Sequence, residues 1–302
     1  MPATCIAVGS GSNTGVTIDT ASGLNNVWVA DSASSNVYRY KPGTSNVLAF
    51  PTAVSPAVNL PGAIAADGTG NIYFTSPSNA ALYEIPGGAA ASAAVSPVSV
   101  ATTIGSDPAR ITVDGTEAVW TTSGSNFITR TTSSTPNAGT GFSSLQLSAL
   151  TPTYGLSVTA TFGSPSKNYV FTSQQGSSNS LFLQAGSGTS YTSVGGWPVT
   201  GLSTPTAVVS DGAQNVWTLN NANGANSLFA TGISQQSISP ATGFVKPASY
   251  LGGGRSMVID QSGNLWIGLD GTNSITEIVG AAVPVTQPYA TAIARGTFQQ
   301  IP

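Results

Sequence analysis

The sequence predicts an all-β chain, a six-bladed β-propeller with four-stranded antiparallel blades whose last blade is completed by a terminal strand. Three observations lead there. A short apolar run closing in Asp recurs about every 48 residues, at Val16-Thr17-Ile18-Asp19, Ile64-Ala65-Ala66-Asp67, Ile111-Thr112-Val113-Asp114, Val208-Val209-Ser210-Asp211 and Val258-Ile259-Asp260, with Leu156-Ser157-Val158-Thr159 as a divergent fourth copy. A turn rich in Gly and Asn then leads into a second run that carries a bulky aromatic. Nowhere do apolar residues recur with the 3.6-residue period of a helix.

Each copy reads as short strands in hairpin order. The first strand is the run that ends in Asp. The clearest turns are Asp67-Gly68-Thr69-Gly70-Asn71 and Asp260-Gln261-Ser262-Gly263-Asn264, where Asp and Gly supply conformations that other residues resist. The second strand carries Tyr73, Trp120, Trp217 or Trp266 six residues after the Asp, Trp28 after a longer turn, and Tyr169 in the fourth copy. The third opens at Asn36-Val37-Tyr38, Leu82-Tyr83-Glu84-Ile85, Asn126-Phe127-Ile128, Asn179-Ser180-Leu181, Asn226-Ser227-Leu228 and Asn273-Ser274-Ile275. A weaker fourth is placed at 47–50, 97–102, 145–149, 191–194 and 244–250, and the low-complexity runs 87–94 and 131–141 are loops. A blade buries neither face alone, so six of them around an axis bury each face against a neighbour.

The repeats fall near 12–55, 56–103, 104–150, 151–200, 201–250 and 251–285, one domain over 1–285 with a tail at 286–302. The sixth copy runs out at Ile275 to Val279 without a fourth strand. Two terminal segments compete to supply it: Thr4 to Val8, or Val283 to Tyr289, whose Pro284 and Pro288 suit an edge. The segment left over is available to add to another molecule's sheet edge, which makes a second copy of the chain an expected partner.

Composition narrows the partners. Charged residues make up 6% of the 302, far below the roughly 25% usual in soluble proteins, while hydrophobic residues reach 40%, enough for a core. Eight basic against 11 acidic residues leave no cationic stripe for nucleic acid. No apolar run approaches the ~18 residues that span a bilayer. The single cysteine, Cys5, forms no internal disulfide framework and is read as a small buried residue. The charge-poor, Ser/Thr/Gly/Asn-rich composition matches that of exported bacterial proteins, so an extracellular location is expected, with a signal peptide removed before residue 1.

The succession Pro-x-x-Ile-x-x-Asp, Gly-Asn-[Ile/Leu/Val]-[Tyr/Trp] and Ser-Asn-x-apolar resembles the NHL-type repeat and the related virginiamycin B lyase-like propellers, over residues 12 to about 285. The ending Ser274-Ile275-Thr276-Glu277-Ile278-Val279-Gly280 is similar to the close of exported bacterial NHL proteins. These are hairpin and packing signals, so the resemblance implies a fold and carries no activity with it.

The lyases that this likeness brings to mind rely on histidine with a divalent metal, and the chain contains no His. That removes Ser-His-Asp and Cys-His arrangements and the usual imidazole base, and leaves zinc without imidazole or a cysteine cluster. No catalytic residue, metal or cofactor is therefore expected. The repeated Asp19, Asp67, Asp114, Asp211 and Asp260 read as acceptors for their own turns rather than as a cation ring. The repeated aromatics read as packing between blades. Trp197, in Gly195-Gly196-Trp197-Pro198, lies outside the repeat and is the candidate for an exposed contact. Arg110 and Arg255 open their inner strands where the other copies carry Thr14, Gly15, Gly62, Ala63, Gly155, Thr206, Ala207 and Ser256. In a six-membered ring their blades stand opposite one another, so two guanidiniums would meet at one channel mouth and hold a carboxylate, phosphate or sulfate. Competing roles are an ion pair of Arg110 with Asp107 and capping of carbonyls by Arg255. The expected function is a non-enzymatic exported binding or self-assembly module, whose partners are itself, another extracellular protein or a glycan. A carboxylate- or metal-dependent lyase or hydrolase at the channel mouth and a carbohydrate-binding propeller are the alternatives.

Overall fold

The computed structural model describes residues 3–8, 13–19, 26–41, 47–51, 62–86, 98–101, 110–114, 118–122, 127–131, 142–146, 153–161, 164–174, 181–187, 190–200, 202–222, 225–232, 239–245, 251–269 and 274–285. Strand β1 (Ala3–Ala7) precedes the first repeat. Blade one holds β2 (Asn13–Asp19), β3 (Asn26–Asp31), β4 (Asn36–Tyr40) and β5 (Val47–Pro51), and blade two β6 (Ile64–Ala66), β7 (Ile72–Ser76), β8 (Ala81–Ile85) and β9 (Val98–Ala101). Blade three holds β10 (Ile111–Val113), β11 (Val119–Thr122), β12 (Phe127–Thr131) and β13 (Phe142–Gln146). Blade four holds β14 (Thr153–Thr161), β15 (Ser164–Gln174), β16 (Leu181–Ser187) and β17 (Ser190–Ser193). Blade five holds β18 (Pro205–Ser210), β19 (Asn215–Ala222), β20 (Ala225–Gly232) and β21 (Ser239–Val245), and blade six β22 (Gly254–Ile259), β23 (Leu265–Leu269) and β24 (Ser274–Ile278).

Five sheets pair in chain order, and the sixth runs β1-β24-β23-β22. The N-terminal strand thus decides the competition for the last slot: Ala3 lies opposite Ile278 and Ala7 opposite Ser274, so the start of the chain closes the ring on its end. The C-terminal alternative is corrected as far as Val285. Residues 279–285 form no strand and run instead across the turns of blades five and six. There Gly212 N donates to Val283 O (3.2 Å), Ala282 N to Gly263 O (3.0 Å) and Val283 N to the Asp211 carboxylate (3.3 Å). Pro284 explains the choice, because a residue without an N–H serves a docked strap better than a ladder. Val285 at its end is fully buried between the two blades.

The inner strands touch in sequence, β2 to β6, β10, β14, β18, β22 and back to β2, which is the closed ring. The core consists of six seams between blades. In each, the second-strand aromatic of one blade packs on the next: Trp28 on Ile64 and Ile72, Tyr73 on Ile111 and Val113, Trp120 on Leu156 and Val170, Phe171 on Val208 and Val216, Trp217 on Met257 and Ile259, Trp266 on Val16 and Val27. Closing the last seam therefore stabilises all the others.

Two expectations need correction. The fourth copy's aromatic is Phe171, not Tyr169: the register sets Ser157 opposite Phe171 as it sets Thr17 opposite Trp28. Its hairpin is longer, with strands of 9 and 11 residues, so a spacing carried over from the other copies lands short. The outer strands β13 and β21 begin earlier than 145 and 244, because their Ser, Thr and Gly residues mask the alternation. Of the loop expected at 131–141, Thr131 belongs to β12; its remainder, the loop 87–94 and the tail 286–302 lie outside the described residues.

Deleting residues 1–8 leaves β24 as an unpaired edge and takes buried Val8 out of the seam between blades six and one. The expected outcome is a lower unfolding midpoint and concentration-dependent association, read by thermal melts and sedimentation. A truncated chain that stays monomeric with an unchanged midpoint would refute the closing role of β1.

Candidate functional site

At the Asp end of the inner strands, one carboxylate organises the hairpin in blades two, three, five and six. Asp211 Oδ1 accepts from the backbone N–H groups of Ala213 and Asn215 (both 2.9 Å), and Oδ2 from Asn215 Nδ2 and Trp217 Nε1 (both 3.0 Å). Asp260 repeats this with Ser262, Asn264 and Trp266, and Asp67 with Thr69, Asn71 and the Tyr73 hydroxyl (3.1 Å). In blade three Ala118 takes the Asn position and Arg130 replaces the lost amide, with Nη2 2.9 Å from Asp114 and the guanidinium 5.4 Å above the Trp120 ring. The divergent copy follows the same logic: where Thr159 replaces the acid, Phe171 replaces the aromatic that donates. Turn acceptance was legible in the sequence. The bond from aromatic to acid was not, although its six-residue spacing and the joint loss of Asp and donor in copy four were the available signal.

The left-handed residue of these turns sits three after the Asp, at Gly70, Gln214 and Gly263. Gly263 has a second reason to be glycine, since a Cβ there would press on Ala282 O in the docked C-terminal segment.

Opposite the aromatics on the third strands stand Arg39, Glu84, Arg130, Ala230 and Glu277. Burial, and then the Asp67 charge, hold the Glu84 carboxyl above its ordinary value, and burial and then Asp260 do the same for Glu277. These acids bind their proton more tightly folded than unfolded, so their contribution to stability is present at low pH and is lost as pH rises past about 4.5.

At the other end, the ring of residues that opens the inner strands is Gly15, Ala63, Arg110, Gly155, Ala207 and Ser256, equivalent by register. Small residues are required because the strands converge: a Cβ on Gly15 would lie 2.8 Å from Ile64 N, and one on Gly155 2.8 Å from Val208 Cγ2. Arg110 stands alone among five small members. Its side chain reaches past blade four to blade five, with Nε (3.3 Å) and Nη2 (3.1 Å) both donating to Thr206 O. Arg255 is one place earlier, at the bulge between Gly254 and Ser256, where blade one bulges at Thr14 and blade five at Thr206. The two arginines therefore occupy unequal ring positions yet line one chamber. A short bridge joins them, since Thr206 Oγ1 donates to the carbonyl of Gly254 (2.8 Å). Asp107 lies outside the described residues. Trp197 is half-buried in the seam of blades four and five, its ring centroid 5.9 Å from that of Phe171.

The channel itself has two chambers. The outer one, about 50 Å³, is lined by both arginines and the small ring, and the inner one, about 70 Å³, by Thr17, Thr112 and Ser157 among others. Six apolar residues, Val16, Ile64, Ile111, Leu156, Val208 and Met257, belong to both. The inner strands are terminal in their sheets, so each turns a backbone edge outside the sheet ladder toward the axis. Among the described residues no three His, Cys, Asp or Glu side chains gather as a metal set, and no helix is long and apolar enough to cross a membrane.

Solved structures share this architecture. Virginiamycin B lyase from Staphylococcus aureus superposes with a TM-score of 0.62 at 11% identity, over 92% of this chain and 99% of its own. A gluconolactonase from Xanthomonas campestris gives 0.66 at 12% identity, over 92% and 89%. The chain shares their propeller fold. The PQQ-bound aldose sugar dehydrogenase from Streptomyces coelicolor gives 0.60 at 14%, over 91% and 98%. No protein-family model matches the chain, and the comparison with curated proteins gives no match.

Two outcomes test the carboxylate anchors. Asp211→Asn sets an amide N–H against donors whichever way it turns, and is expected to cost about 3 kcal/mol in urea unfolding; a loss under about 1 kcal/mol would show the anchor to be incidental. The double change Glu84→Gln, Glu277→Gln should raise the melting temperature at pH 8 and leave it nearly unchanged at pH 4, where the wild-type acids are protonated. A larger gain at pH 4 would reverse the sign argued above.

Proposed function

We propose that the chain is a non-enzymatic exported propeller that works as a binding module, and that its ligand presents an anionic group to Arg110 and Arg255 at the channel mouth. The observation that carries this reading is the placement of the two arginines on one chamber, beside a ring whose members other than Arg110 are Gly, Ala and Ser. A guanidinium has five N–H donors in a fixed fork, and Thr206 O takes two of those on Arg110. Its position is thereby set, as a binding group requires. Desolvation by the converging strands strengthens a charge-assisted bond there beyond its worth on an open surface.

The enzymatic alternative draws on neighbours named as a lyase, a lactonase and a dehydrogenase, at identities that transfer fold alone. The described repeat carboxylates stand at the other end of the channel, engaged by their turns. A protein partner has the precedent of a propeller in the nidogen/laminin complex, at a TM-score of 0.54 and 15% identity. The assembly reading loses its N-terminal strand, which β24 holds within the same chain.

Titration with formate, the smallest carboxylate, tests the mouth. Calorimetry is expected to give one weak site on the wild type, weakened about tenfold or more in Arg255→Ala, with Arg110→Ala losing both binding and some stability through its brace to Thr206. Equal formate affinity in all three proteins would sink the proposal.

A further inference from the structure

Resting on that reading of the mouth, we infer that the ligand is a small linear hydroxy-carboxylate, its carboxylate held by Arg110 and Arg255 and its hydroxyl reaching Thr17 and Thr112 in the inner chamber. Four observations converge on this class.

The first is size. At the ~10–15 Å³ that one water-sized group needs, the outer chamber of about 50 Å³ admits about four such groups and the inner one of about 70 Å³ about five. A carboxylate with a short chain fits that space, and a sugar ring or a peptide does not. The second is polarity. The inner chamber is lined by Thr17, Thr112 and Ser157 on blades one, three and four, and by residues of all six inner strands, so a wholly apolar tail would strip water from polar groups without replacing it.

The third is that neither the Thr17 nor the Thr112 hydroxyl makes a hydrogen bond among the described residues, whereas Ser157 meets Ser210 (3.4 Å). Two hydroxyls that face a confined chamber in this state are acceptors and donors in need of a partner. The fourth is spacing. Thr17 lies two residues below Gly15 along β2, and Thr112 two below Arg110 along β10, so head and tail levels are about 7 Å apart at the rise of a strand. A chain of four carbons with a terminal hydroxyl covers that distance once hydrogen bonds are counted at each end. Between the two levels it passes the shared apolar ring, which suits methylenes. The inner chamber carries no described cation, so a second carboxylate at the tail would be desolvated without a counter-charge, and dicarboxylates are rejected.

Calorimetric titration of the whole chain with formate, butyrate, 4-hydroxybutyrate and succinate tests this. The expected order places 4-hydroxybutyrate about tenfold tighter than butyrate, the worth of one well-made hydrogen bond, with succinate weakest. In Thr17→Val, Thr112→Val, which keeps side-chain shape, 4-hydroxybutyrate should fall to the level of butyrate while formate binds as before. Thr17→Ser, Thr112→Ser should keep the preference, and thermal melts establish that both variants are folded. If butyrate binds as tightly as 4-hydroxybutyrate to the wild type, the hydroxy-acid inference is overturned while formate binding still supports the anionic mouth. If formate itself does not bind, both readings fall together.

Discussion

A buried carboxylate that accepts from its own turn and from the aromatic of the next strand is the interaction on which this ring depends. An acidic side chain at 0 to 2% exposure, as for Asp67, Asp114 and Asp211, is tolerable only when its polar atoms are met. Here they are met by backbone N–H groups at the second or fourth turn position and by an indole or phenol. The aromatics that make these bonds are the ones that pack on the next blade. In blades two, three, five and six, turn geometry and inter-blade packing are thus coupled through one atom pair. In blade four the coupling is dispensed with on both sides, Thr159 and Phe171 leaving neither acid nor donor to satisfy. Joint loss leaves neither a lone donor nor a lone acid in that seam, either of which would cost more than the absence of both.

Ring closure adds a second constraint, at the opposite end. Six strands that start around one axis leave space for little beyond a hydrogen, a methyl or a hydroxymethyl at the tightest level, as the contacts of Gly15 and Gly155 show. Arg110 fits among them by leaving its own blade and crossing to a carbonyl two blades away. A side chain that departs from the rule of a crowded ring has to do something with its length and its charge, and here it ties blade three to blade five while lining the chamber that Arg255 also lines. The chain is poor in charge throughout, which sets the two arginines that line this chamber apart from the rest of the channel lining.

Much of this was legible in the residues. The Asp repeat and the Gly-Asn turns announced hairpins, and six copies announced a ring, because local conformational preference and a repeated apolar pattern survive without knowledge of contacts. The inward placement of Arg110 followed from its being long where other copies are small. Less legible was the equivalence of residues across copies. Counting back from the Asp put Arg110 and Arg255 one residue apart with no way to say what that meant, and the bulge at Arg255 resolved it. Phe171 was hidden for the same reason, since hairpin register depends on pairing and not on separation along the chain. Trp197 carried no repeat context at all, and its seam partners Phe171 and Val194 come from β15 and from the segment that follows β17.

The residues alone determined the unit: four strands, an acid at the corner, an aromatic opposite, small residues at the inner start. These follow from turn chemistry and from alternation, which act over a few positions. Tertiary structure alone decided how the unit is used. Both termini offered a segment with the right apolar content for blade six, and only the geometry of closure selected β1 for the ladder, while the proline-bearing end became a strap across two turns. Likewise the residues named the two arginines, but only a closed ring gave them a common chamber, because what a guanidinium faces at an axis is set by the blades beyond its neighbours.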